Sequence, residues 1–154
     1  ALTKLGRRPG AVETIHGKPP DRDDQTEQFI AVFGLDDHHL LAATRDGASE
    51  TILGMCSIRV ADNPRRRHSG ALGIMVQAGY QNRGVGSALL AAVLDVADNW
   101  IRLVRVELEV FADNRRAIHL YEKFGFEREG VKRAGAIRHG KYADELIMAR
   151  IRNA

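Results

Sequence analysis

From Val85 onward the apolar residues recur at helical spacing. Val85, Leu89, Val93, Val96 and Trp100 form one stripe, widened by Leu90, Leu94, Ala97 and Ile101. A stripe that broad predicts a helix packed hard against a sheet. Between 103 and 111 the period drops to two. Val104, Val106, Leu108 and Val110 fall on one face and Arg105, Glu107 and Glu109 on the other, which predicts a strand. Ala117, Ile118, Tyr121 and Phe124 restore the helical period, and Gly125 suits a left-handed C-terminal cap. Before these helices, apolar runs at 39–45, 51–60 and 68–76 predict three strands, with turns at Asp46-Gly47 and Asn63-Pro64. Two closing strands are expected near 126–131 and 142–151.

Upstream the pattern weakens. Gly6, Pro9, Gly10, Gly17, Pro19 and Pro20 interrupt any period, so residues 1–23 read as irregular. Asp24 with Glu27 resembles a capping box ahead of Phe29, Ile30, Val32 and Phe33, with Gly34 as the stop, which predicts a helix over 24–33. The order helix, three strands, helix, strand, helix, two strands describes one mixed α/β domain over 1–154.

Composition narrows the classes. With 44% hydrophobic and 28% charged residues, the 154-residue chain has the make-up of a soluble globular domain able to bury a core. A formal charge of +3 gives mild attraction for an anion. No basic helix or aromatic platform accompanies it, so no nucleic-acid partner is expected. No run approaches the ~20 apolar residues of a membrane span, and no signal-peptide pattern opens the chain. The single cysteine, Cys56, lies in an apolar run, which excludes a disulfide framework and fits a reducing, cytoplasmic setting. A buried, inert thiol is expected there.

The chemistry concentrates in two stretches. Gln81-Asn82-Arg83-Gly84-Val85-Gly86 joins an apolar run to the first long helix. Gly84 and Gly86 let the backbone come close to a ligand, so that N–H groups at a helix start converge on one anion. The loop lacks the third glycine of a dinucleotide fingerprint and the Lys of a P-loop. Thirty residues on, Asn114 opens a short helix that carries Tyr121 on its apolar face. The histidines are weaker signals. His38-His39 beside Asp36-Asp37 is a polar turn entering a strand, whose neighbouring side chains point apart, and no metal is expected. His119 falls off the apolar stripe and is expected to be exposed. Arg65-Arg66-Arg67 reads as a solvated hairpin tip or a contact for an acidic substrate, and Asp144 as an ion-pair partner or a site for an acceptor ammonium.

The stretch IMVQAGYQNRGVGSALL resembles the pyrophosphate-loop motif of the GNAT acyl-CoA N-acetyltransferase superfamily, Q/R-x-x-G-x-G/A, with Gln81, Gly84 and Gly86 in its fixed positions. LEVFADNRRAIHLYEKFGF is similar to the strand and helix that follow it in that family. The likeness covers about residues 38–152. Within the superfamily, DNWIRLVRVELEVFADN, YEKFGFEREG and HGKYADELIMAR look most like bacterial L-amino-acid N-acyltransferases.

The resemblance implies a mixed, mostly antiparallel central sheet flanked by helices, and acetyl-CoA as acyl donor without a metal. Backbone near Met75 and Val76 would hold the pantetheine arm. Gln81, Asn82, Arg83, Gly84, Val85, Gly86 and Ser87 would wrap the pyrophosphate, and Asn114 would contact the cofactor or order the site. Tyr121 would protonate the departing thiolate as general acid. Glu109, five residues before Asn114, has the spacing of the glutamate base in ribosomal-protein alanine acetyltransferases. The pattern alone equally allows Glu107 and Glu109 to be solvated or ion-paired strand carboxylates. The implied activity is acetyl transfer to a primary amine of a small metabolite, an amino acid above all. Protein N-terminal acetylation and a non-catalytic acyl-CoA-binding domain are the alternatives, and such folds admit a homodimer. Relatives begin with a strand and two helices, and here no first strand is legible before His38. Together with an opening Ala in place of Met, this gives the expectation of a segment removed, trimmed or supplied by a neighbouring chain.

Overall fold

The computed structural model describes residues 12–17, 28–35, 37–44 and 51–152. Eight strands form one sheet: β1 (Val12–Gly17), β2 (Gln28–Leu35), β3 (His38–Thr44), β4 (Ile52–Val60), β5 (Ser69–Val76), β6 (Arg105–Phe111), β7 (Glu127–Arg138) and β8 (Lys141–Ile151). Their order is β1-β2-β3-β4-β5-β6-β8-β7. Two helices, α1 (Val85–Asp95) and α2 (Arg115–Lys123), follow β5 and β6. The mixed, mostly antiparallel sheet is the expected one. Among the described residues, β5 and β6 form the parallel pair, as a strand–helix–strand crossover through α1 requires.

The N-terminal reading needs two corrections. Residues 28–33 belong to strand β2, not to a helix, and are held in an antiparallel ladder between β1 and β3. Val12–Gly17, expected as irregular chain, is strand β1. Two strands therefore precede His38 where none was legible. Phe29, Ile30, Val32 and Phe33 are aromatic or β-branched, and pairing on both sides overrides a local helix signal. The capping pair Asp24/Glu27 and the Asp46-Gly47 turn lie outside the described residues.

Both helices pack into one core. Leu89, Leu90 and Val93 of α1 join Ile118 and Tyr121 of α2, Ile58 of β4, Val106 and Leu108 of β6, and Met148 of β8 in a single buried cluster. Because that cluster takes alternate residues of β4 and β6, the helices share one face of the sheet. Trp100 does not continue the α1 stripe and is 40% exposed. The helix widens to a π-turn over Val96–Ile101, and the wider turn rotates later side chains off the apolar face. Asp98 of that turn accepts two hydrogen bonds from Arg150 of β8, at 2.8 and 2.7 Å, which fastens the helix end to the sheet. Strand β7 runs seven residues past its expected end, through register shifts between Arg128 and Gly130 and between Lys132 and Ala136. No helix among the described residues is long and apolar enough to cross a membrane.

The feature that positions the site is the short reach of the β5–β6 ladder. It holds Ser69, Gly70 and Ala71 opposite Arg105, Val106 and Glu107 and then stops. Beyond it β5 continues to Val76 and β6 to Phe111 without pairing, so the two strands part. The far end of β5 leans instead on β4. Gln77 N–H donates to Leu53 C=O at 3.0 Å, and the Cβ position of Gly54 lies 2.8 Å from the Met75 carbonyl oxygen. An added methyl there meets backbone. Gly54→Ala should therefore lower stability by ~1–3 kcal/mol, read as a lower urea midpoint at unchanged slope. An unmoved midpoint would show that β5 yields freely.

Candidate active site

A cleft of ≈ 430 Å³ opens beside the freed end of β5. Ile74, Met75 and Val76 form one wall, the loop from Gln81 to Ser87 its floor, and α2 the opposite wall. Strand alternation fixes how β5 faces it. Because Gln77 turns its N–H to β4, Val76 turns its N–H and C=O to the side that β6 has left.

The loop is built for close approach. Asn82 has φ 60 and Gly84 φ 83, left-handed values that swing the chain into α1. Gly84 caps α1 without any side-chain hydrogen bond, so the first N–H groups of the helix have no side-chain acceptor. At Gly86 a Cβ would stand 3.3 Å from Leu120 Cδ2 and 3.7 Å from Val76 Cγ2, so the missing side chain is what keeps α1, α2 and β5 this close. Gln81 spans the cleft. Its Nε2 donates to Val76 C=O at 3.2 Å, and its Oε1 accepts from Arg116 Nη2 at 2.6 Å.

Helix α2 contributes one apolar and one cationic face. Asn114 caps it, its Oδ1 accepting from the Ala117 N–H at 3.2 Å. Arg116, His119 and Lys123 follow at one-turn spacing along the cleft. Together with the dipole at the start of α1, Arg116 and Lys123 make the site attractive to an anion. Tyr121 lies on the inner side, 6% exposed, with its ring against Phe126 at 5.9 Å between centroids. Burial, and then the neighbouring Cys56 thiol, push its phenol up to about 12. Among the described residues its hydroxyl meets no hydrogen-bond partner, and the residue lines the cleft.

The acetyltransferase (GNAT) family model matches residues 10–126. The chain belongs to the GNAT acetyltransferase family. The L-amino acid N-acetyltransferase AaaT of Escherichia coli (strain K12) is 44% identical over 112 residues, which are 73% of this chain and 67% of that protein. Among solved structures, an acetyltransferase of the GNAT family from Streptococcus pneumoniae matches with a TM-score of 0.70 at 33% identity, over 78% of this chain and 70% of that one. The ribosomal-protein-alanine N-acetyltransferase from Brucella melitensis gives 0.68 at 26% identity, over 75% and 70%.

Within this GNAT fold most of the residues named from sequence meet at the cleft: Met75 and Val76, then Gln81, Asn82, Gly84, Gly86 and Ser87, then Asn114 and Tyr121. Two loop residues do not line it. Arg83 holds its guanidinium 5.7 Å from the centre of the Tyr80 ring, and Val85 buries its side chain under α1. Glu109 stands apart. Its neighbours Leu108 and Val110 are buried on the helix side, so Glu109 points to the opposite face, where both its oxygens accept from Lys132 Nζ at 3.0 Å. Asp144 accepts from the Ala134 N–H at 2.8 Å and so pins the irregular part of β7. The sequence reading passed over Arg116 and Lys123, although their spacing with His119 was a visible signal of one shared helix face.

The burial of Tyr121 has a spectroscopic consequence. The raised pKa means the folded protein keeps this proton up to about 12, whereas an unfolded tyrosine loses it near 10. Burial of Tyr121 therefore adds a cost to the folded state that sets in as pH rises through about 10 and saturates above about 12. In an ultraviolet tyrosinate titration, the difference between the wild type and Tyr121→Phe should appear near pH 12. A difference centred near 10 would mean that the phenol is solvated.

Proposed function

We propose that this chain moves an acetyl group from acetyl-CoA to the primary amine of a small metabolite, with a free amino acid as the preferred acceptor, by direct attack in a ternary complex. The observation that carries the reading is the parted strand pair, flanked by an uncapped helix start on one side and a buried phenol on the other. The cleft fits the donor. The N–H groups at the start of α1, with Arg116, His119 and Lys123, suit a diphosphate. Gly86 lets α1, α2 and β5 pack closely behind the loop that would wrap the diphosphate. The amino-acid preference is supported by the 44% identity to AaaT.

The thioester supplies an activated acyl carbon. Four things are asked of the protein: position the acceptor nitrogen, take its proton, hold the charge that grows on the carbonyl oxygen, and protonate the sulfur. The direction of the Val76 N–H, into the gap left by β6, supports its holding that oxygen. Glu109, on the sheet face turned away from the helices, takes the ammonium proton, so that the nitrogen lone pair is free to form the C–N bond. As the C–S bond breaks, its electron pair goes to sulfur and Tyr121 donates its proton there. In sum, an ammonium and a thioester give an amide, a thiol and one released proton. The nitrogen sheds its second proton to water as the tetrahedral intermediate collapses, and water returns one to Tyr121.

A phenol near 12 would be a poor donor to an ordinary thiolate. Burial raises the affinity of any thiolate for a proton, as it does for the Cys56 thiol beside Tyr121, and a departing sulfur sheltered from water would be the stronger base for it. The structural likeness to a ribosomal-protein-alanine N-acetyltransferase supports a second reading, transfer to a protein N-terminus.

The deciding experiment offers acetyl-CoA with amino acids, polyamines, aminoglycosides and peptides and follows CoA release above the acceptor-free blank. Release with amino acids is expected, and release with peptides alone would favour the second reading. With the best acceptor, Tyr121→Phe should lose about 10²–10⁴ of the rate, mostly in kcat. Unchanged turnover would remove Tyr121 as the acid.

A further inference from the structure

The face of the sheet turned away from the helices carries a charge pair at the rim of the strand gap. The β5–β6 ladder ends at Ala71 and Glu107, so Glu109, two residues on, has no β5 neighbour beside it. Across β8 its register partner is Ile147, and Phe111 faces Glu145. Lys132 of β7 is the next partner of Glu145, which places it on the same face. From there its Nζ reaches both Glu109 oxygens at 3.0 Å. Phe111 borders the pair, with the Arg138 guanidinium 4.5 Å from its ring centre, and Arg138 is itself bonded to Asp113.

Two features set the Glu109–Lys132 pair apart from an ordinary surface contact. It stands beside the stretch of β6 that has no β5 neighbour, and both side chains are 48% exposed. A pair this open to water is weakly held, so a ligand bearing the same two charges can part it. An α-amino acid carries its ammonium and carboxylate on one carbon, so a single molecule meets both partners.

We propose that Lys132 is the specificity residue of this transferase: it binds the acceptor's α-carboxylate while Glu109 receives the α-ammonium. This rests on the acetyl-transfer reading above and narrows it. A polyamine brings a second cation toward Lys132, and a peptide N-terminus brings no adjacent carboxylate, so both are disfavoured. The acceptor displaces one ion pair and forms two, with no change in net charge on the rim.

The test compares kcat/KM for L-amino acids with that for the matching α-amides, which keep the amine and lose the carboxylate. The wild type should favour the acids by about tenfold or more. Lys132→Met should erase that preference through a higher KM for the acids, and Lys132→Arg should restore most of it. Equal use of acids and amides by the wild type would overturn the assignment, as would a preference that survives Lys132→Met. Release with peptides or polyamines alone would leave acetyl transfer standing and overturn the role of Lys132. Release with no amine at all would overturn acetyl transfer itself, and this assignment with it.

Discussion

The site depends on two parallel strands that pair for three residues and then separate. A continuous ladder would satisfy the polar groups of both strands and close the sheet. Parting them leaves one edge of β5 without a neighbouring strand, and that edge is usable only because something else keeps β5 straight. The Gln77–Leu53 hydrogen bond and the tight Gly54–Met75 contact do so from the β4 side. Gln81 steadies the same strand end through the Val76 carbonyl. The opening is thus backed from the β4 side.

The two faces of the sheet divide the work. On the helix side, attraction for an anion comes mostly from backbone, with a few cations from α2. This explains how a chain of net charge +3 can present an anion site without a basic surface. On the other face, charges are paired: Arg105 with Glu107 and Glu129, Lys132 with Glu109, Arg138 with Asp113. The strand gap lies between the cleft on one face and these ion pairs on the other.

The sequence was legible wherever an element carried its own burial period. Val106, Leu108 and Val110 announce β6 because they alternate and are buried. Gly125 announces the end of α2 because φ 85 excludes most side chains. The loop was legible for the same reason, since only glycine allows the approach at residue 86. Failures came where neighbours decide. Phe29 to Phe33 fit a helix face as well as a strand, and only the ladders with β1 and β3 choose between them. In β7, Ala134 at φ 51 and two register shifts hide the two-residue period. Trp100 misled because the π-turn changes the helical phase. Lys132 was invisible because its meaning comes from Glu109, which lies 23 positions away along the chain.

Burial of the one cysteine reaches beyond the core. Cys56 is 1% exposed, and its thiol holds its proton to about 12. Disulfide-type reagents therefore find no reactive sulfur on this chain under neutral conditions. Any thiol that such a dye counts in a reaction mixture comes from the small molecules and not from the catalyst. The same silence leaves a clean background for labelling: a cysteine introduced on the exposed rim would be the sole attachment point for a fluorophore or spin probe. The fold has thus left its own surface free of thiols, and the molecule can be labelled at an added cysteine without first replacing its own.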